Sequence, residues 1–145
     1  MTIASGSLQP SPSRGEVLKP RVVVQRIYER SQPSTRRRVL VDRLWPRGVT
    51  KKDADLDEWA KDVAPTHELR RWYGHDPLRF DEFSRRYRRE LRRAPCADIV
   101  RRLLEFARQD GITLLTATRD VERSGARVLE QHLLANDHPR PKKAT

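Results

Sequence analysis

The sequence predicts a single small α/β domain with a short, mainly parallel sheet of three or four strands and about five helices. Three observations predict it. Two runs rich in β-branched residues near the N-terminus read as strands. The run Ile112-Thr113-Leu114-Leu115-Thr116-Ala117-Thr118 reads as a strand buried on both faces. Between and after these runs, apolar residues recur at helical spacing. Buried strands mixed with amphipathic helices are the pattern of the α/β class.

The elements follow in order. Arg21 to Tyr28 (RVVVQRIY) is the first strand, and Arg38 to Leu44 (RRVLVDRL), stopped by Trp45-Pro46-Arg47-Gly48, is the second. The segment 29–37 between them is too short for a helical crossover of about a dozen residues. That leaves the two strands antiparallel or joined by an extended loop. In 54–63, Leu56, Trp59, Ala60 and Val63 fall at i, i+3, i+4 and i+7, which predicts a helix ended by Pro65. A short helix over 67–73 has Thr66 as N-cap and Gly74 just past its end. The next opens with Asp76 as N-cap and Pro77 at the first helical position, and lines up Phe80, Phe83, Tyr87 and Leu91 on one face. A helix over 97–110 buries Ile99, Val100, Leu103, Leu104 and Ala107 and stops at Gly111. The last, over 121–135, turns Val121, Val128, Leu129 and Leu133 inward.

Composition bounds the function. The 145 residues hold 31 Lys+Arg against 20 Asp+Glu, a net charge of +11. Arg supplies 25 of those cations and Lys 6. Between 21 and 135 the count is still 26 basic against 18 acidic residues, so the charge belongs to the domain and not to its tails. No stretch approaches the 18 apolar residues of a membrane span, and the N-terminus lacks the apolar core of a secretory signal. A single cysteine, Cys96, excludes an internal disulfide framework. The expectation is a cytoplasmic domain over 20–135, with a disordered tail over 1–19, a disordered basic tail over 136–145, and no membrane partner. No cofactor fingerprint or metal-ligand spacing occurs, so no cofactor and no metal are expected. The oligomeric state stays open.

Ligands of open α/β sheets bind beyond the carboxyl ends of the strands. Two strand ends here carry clustered polar groups. The second strand delivers Asp42, Arg43, Trp45 and Arg47; the last delivers Arg119 and Asp120, beside the start of a helix holding Ser124 and Gly125. Arg offers planar donor pairs suited to phosphate or carboxylate, and helix N-termini favour anions. A pocket for a small anionic ligand follows, with Arg43, Arg47, Arg70 and Arg119 as cations and Trp45 in the wall. Asp42 and Asp120 read as groups that orient those arginines. In an enzyme, Asp42 or His75 would be the proton-transfer group. Simpler readings stand beside this: Asp42 as an ion-pair partner of Arg43, Arg47 or Arg70, Asp120 as an N-cap, His75 as a surface residue. Cys96 has no His partner in sequence. A second partner class is nucleic acid, met by the Arg-rich face of the 79–93 helix through Arg85, Arg86, Arg88, Arg89, Arg92 and Arg93; a solvated helix has the same look.

Val39 to Gly48, VLVDRLWPRG, resembles the domain-of-unknown-function 488 family in its short, YeaO-like branch. Further matches are Leu56-Asp57-Glu58-Trp59, Ala64-Pro65-Thr66, Glu68-Leu69-Arg70, His75-Asp76-Pro77, Phe83 through Tyr87 to Glu90-Leu91, and ITLLTAT followed by Arg119-Asp120. The resemblance covers about residues 20–135. It implies parallel first and second strands, with the crossover helix of longer members trimmed away. It carries no established activity. The chain departs from the family pattern at Thr116, where a Tyr is frequent, and at Arg123-Ser124-Gly125-Ala126, where a His/Asn pair is frequent.

Overall fold

The computed structural model describes residues 19–29 and 34–137; of the expected tails over 1–19 and 136–145, residues 1–18 and 138–145 lie outside the described residues. Strands β1 (Val22–Arg26), β2 (Arg37–Leu40), β3 (Glu58–Trp59) and β4 (Ile112–Thr116) form one sheet in the order β1-β4-β2-β3. Every pairing is parallel. The helices are α1 (Lys51–Ala54), α2 (His67–Tyr73), α3 (Phe80–Leu91), α4 (Cys96–Gln109) and α5 (Gly125–Ala135), with short 3-10 turns at Lys61–Val63, Pro77–Arg79 and Val121–Arg123. This is an α/β domain, as the sequence predicts. Among the described residues no helix is long and apolar enough to cross a membrane.

The topology resolves the short first connection. β1 and β2 are not neighbours: β4 lies between them and pairs with both, Val22 with Ile112 on one side and Arg37 with Ile112 on the other. Both strands run parallel to β4, so they run parallel to each other, as the resemblance implies.

Alternation along the strands builds two cores of unequal size. Val39, Ile112 and Leu114 point into the larger one, shared with Phe83, Tyr87, Leu91, Leu103 and Leu133 from the helices. Leu40 and Leu115 point the other way, onto Ile27, Ala54, Trp45 and Leu56. β4 is buried at all five positions, as a strand covered on both faces must be.

Local chemistry explains most boundaries. The Thr66 side chain accepts from the Leu69 amide at the start of α2, and Gly74 closes it at φ 52°, where a side chain is strained. Asp76 accepts from Leu78 N–H and Pro77 opens the turn that leads into α3. The helix expected over 54–63 does not form. α1 ends in the left-handed Asp55, after which Glu58 and Trp59 pair with Val39 and Leu40 as the edge strand β3. Asp57 N–H donates to the Arg38 carbonyl at 2.9 Å, and the Asp57 carboxylate accepts from Arg38 N–H at 2.7 Å. Strand pairing satisfies this backbone better than an isolated helical turn could, and the i, i+3, i+4, i+7 spacing is coincidental. The last helix likewise starts at Gly125, after a separate turn over Val121–Arg123.

Candidate functional site

A cavity of about 650 Å³ opens where β1, β2 and β4 end. The second strand's end supplies Asp42, Arg43, Trp45 and Arg47 to its wall. Arg119 and Asp120 enter from beyond β4, Arg70 from α2, and His75 from the turn after α2. All eight residues singled out from the sequence therefore line one cavity.

Ala64 and Pro65 also line the cavity, and the segment 63–66 that carries them is held in place from several sides. The buried Tyr87 hydroxyl donates to the Val63 carbonyl at 2.7 Å, and full burial holds that phenol well above its ordinary pKa. The Glu90 carboxylate accepts from both the amide and the hydroxyl of Thr66. Cys96 donates its thiol to the Asp62 carbonyl; burial, with Glu90 nearby, raises that thiol's pKa, so it is an anchor and not a nucleophile. Arg43 completes the wall by donating to the carbonyls of Ala64 and Pro65 at 3.1 and 3.3 Å.

Asp42 does not form the expected ion pair with Arg43, Arg47 or Arg70. One carboxylate oxygen accepts from the Thr116 hydroxyl at 2.8 Å and the other from the Ala117 amide at 2.7 Å. It thus ties the end of β2 to the end of β4, because two parallel strands that stop together leave unpaired donors at their ends. Burial raises its pKa; the two hydrogen bonds, then Arg70 and His75, pull the other way. Thr116, the position that departs from the family pattern, is the hydroxyl that holds it.

Asp120 also departs from expectation. Its carboxylate neither caps the turn that follows nor orients Arg43, Arg47 or Arg70; it pairs with Arg123 at 3.1 Å. The cap of α5 is Ser124, whose hydroxyl accepts from Arg127 N–H at 3.1 Å. Ser124, Gly125 and Ala126 themselves line the cavity, so the amino end of an 11-residue helix points its field there. Arg47, Arg71 and Arg119 make no side-chain hydrogen bond or ion pair among the described residues, and all three are exposed. His75 is exposed and sits at φ 57°, its ring 6.0 Å from that of Tyr73. The cavity therefore holds uncommitted cations beside two carboxylates that are already bound.

Arg71, Arg123, His67, Tyr28 and Tyr73 line the cavity without having been read from the sequence. Tyr28 was findable: the strand-end rule applied to β1 gives it. Arg71, His67 and Tyr73 sit on a helix whose approach to the sheet only tertiary packing defines. Tyr73 donates to the Arg123 carbonyl at 2.6 Å, joining α2 to the turn before α5.

The Arg-rich face of α3 is partly self-neutralised. Arg85 and Arg86 both bond the Glu82 carboxylate, and Arg86 covers the Trp72 ring at 4.3 Å. Arg88 donates to Gln131. Arg89, Arg92 and Arg93 stay exposed without an ion pair among the described residues.

Residues 21–144 match the family described as the inactive DUF488-N3 subclade. An uncharacterized protein of Mycobacterium tuberculosis is 48% identical over 117 residues, which cover 81% of this chain and 97% of that relative. One of Mycobacterium bovis matches to the same extent. The uncharacterized protein YeaO of Escherichia coli is 36% identical over 109 residues, covering 75% of this chain and 93% of its own. No solved structure matches. The resemblance carried by VLVDRLWPRG and its companion motifs thus extends over the whole described domain, and the chain belongs to the inactive DUF488-N3 subclade.

Proposed function

We propose that this chain recognises a small phosphate- or carboxylate-bearing molecule in the cavity at the strand ends, and does so by binding without turnover. One observation carries the reading: Arg47, Arg70, Arg71 and Arg119 surround a cavity of about 650 Å³ whose only two lining carboxylates, among the described residues, are committed elsewhere. Guanidinium groups left unpaired around a concave space suit planar anions. The dipole at the amino end of α5 adds to the same attraction. Binding is favoured over catalysis because Asp42 is occupied as a strut between two strands, and because the subclade's own description is inactive. His75 is then a contact to the anion and not a proton-transfer group.

The test is a thermal-shift panel of phosphate esters, dicarboxylates, sulfate and a DNA duplex. It is run on the parent, on Arg70→Ala/Arg119→Ala, and on Arg89→Glu/Arg93→Glu. A ligand at 100 times its Kd adds about 2.7 kcal/mol, several degrees for a domain of this size. The expected result is a shift with a small anion, lost in the first variant and kept in the second. The exposed trio Arg89, Arg92 and Arg93 favours a second reading, a nucleic-acid contact on α3. A shift with DNA alone, abolished by salt and by the second variant, would establish that reading and sink the first.

A further inference from the structure

We infer that the anion this cavity takes carries a flat aromatic ring, as a nucleoside monophosphate does, and that Tyr28 is the platform on which the ring stacks; this rests on the anion-binding reading above. Size comes first. About 650 Å³ falls within the range of organic-ligand sites. A bare inorganic anion, a few times the roughly 30 Å³ of a water molecule, would leave most of it unfilled.

The placement of Tyr28 is the second argument. It follows the end of β1, lines the cavity, and keeps 47% of its surface exposed. An aromatic that is solvated for no purpose is free to move; this one is tethered. Its hydroxyl donates to the Arg47 carbonyl at 3.0 Å, and the Arg26 guanidinium covers its ring at 4.9 Å. A ring fixed at its tip and backed by a cation presents its remaining π-surface at low entropic cost. The tether also reaches the loop that carries Arg47, so platform and cation are held in register.

Trp45 supplies a second fixed ring. Its indole N–H donates to the Val49 carbonyl at 2.7 Å, and it packs edge-on to Trp59 with centroids 5.3 Å apart. The cavity wall thus combines two fixed rings, Tyr28 and Trp45, with the cations Arg70 and Arg119 and the α5 terminus. Those are the two kinds of group that an aromatic base and its phosphate require.

Isothermal titration of the full chain decides it, with AMP, GMP, CMP and UMP set against ribose 5-phosphate, inorganic phosphate and adenosine. At least one nucleotide is expected to bind tenfold or more tighter than ribose 5-phosphate, the factor that stacking on one aromatic supplies. Tyr28→Leu should remove about that factor for the nucleotide and leave ribose 5-phosphate unchanged. Tyr28→Phe, which keeps the ring and loses the tether, should stay within about threefold of the parent. Nucleotides no tighter than ribose 5-phosphate overturn the ring and leave the anion pocket standing. Equal binding of adenosine and AMP overturns the anion pocket, and no binding of any phosphate overturns the nucleotide, the anion pocket falling with it when the dicarboxylates of the thermal-shift panel also give no shift.

Discussion

Asp42 shows how one side chain settles two questions. Its carboxylate closes the Thr116 hydroxyl and the Ala117 amide, so Asp42→Ala strands two half-buried donors. A loss of about 2 kcal/mol is expected, measured as a lower urea midpoint at unchanged m value. The sign of its pH dependence follows from burial. A carboxyl raised above 3.8 in the folded state contributes stability that is complete below that value and is lost as pH rises through the folded-state value. The gap between parent and Asp42→Ala should therefore be widest in acid and narrow on titration upward; a gap that widens instead would show that the two hydrogen bonds outweigh desolvation. Of the site, the sequence disclosed the residues and not their bonds. Position at a strand end is local information, which is why Asp42, Trp45 and Arg119 were legible there. Whether Asp42 faces an arginine or a threonine depends on β4 lying beside β2, and no local signal reports that.

At the scale of elements, legibility tracks how short-ranged the deciding interaction is. α2 and α3 were readable because Thr66, Asp76 and Pro77 act within three residues of themselves. β4 was readable because burial on both faces demands an apolar run. The segment 54–63 misled because its pairing partners, Val39 and Leu40, lie about twenty residues away. The turn from α4 into β4 is a further local device with a distant consequence. Gly111 sits at φ 86°, and a Cβ there would meet the Arg36 side chain at 3.2 Å. Its carbonyl accepts from the Arg37 amide, which starts β2 in register. Gly111→Ala should cost about 1–3 kcal/mol through the left-handed backbone and the contact together. Amide exchange in β2, not only in β4, should quicken.

For the whole molecule, acid is the weak side of a basic domain. His132 on α5 is buried, hydrogen-bonded to Asn136, and faced by Arg92, just past the end of α3, and by Arg88 of α3. Burial first, and those arginines second, hold its pKa below 6.5. Its neutral form contributes stability that is complete above about 6.5 and declines as pH falls toward the folded-state value. His132→Gln should flatten thermal stability between pH 7 and 5 relative to the parent; an unchanged slope would assign the acid limb to other groups. The sheet order has its own consequence, in time. β4, the strand that both β1 and β2 require, lies 90 residues after β1 along the chain (Val22 pairs with Ile112). As the polypeptide leaves the ribosome, β1 and β2 emerge with nothing between them and wait for the last third of the chain. Such a sheet closes by a long-range search and forms late. Until Ile112 arrives, the nascent chain holds its early helices and at most the short β2–β3 pairing, and the cavity lacks the part of its wall that residues 117–126 supply.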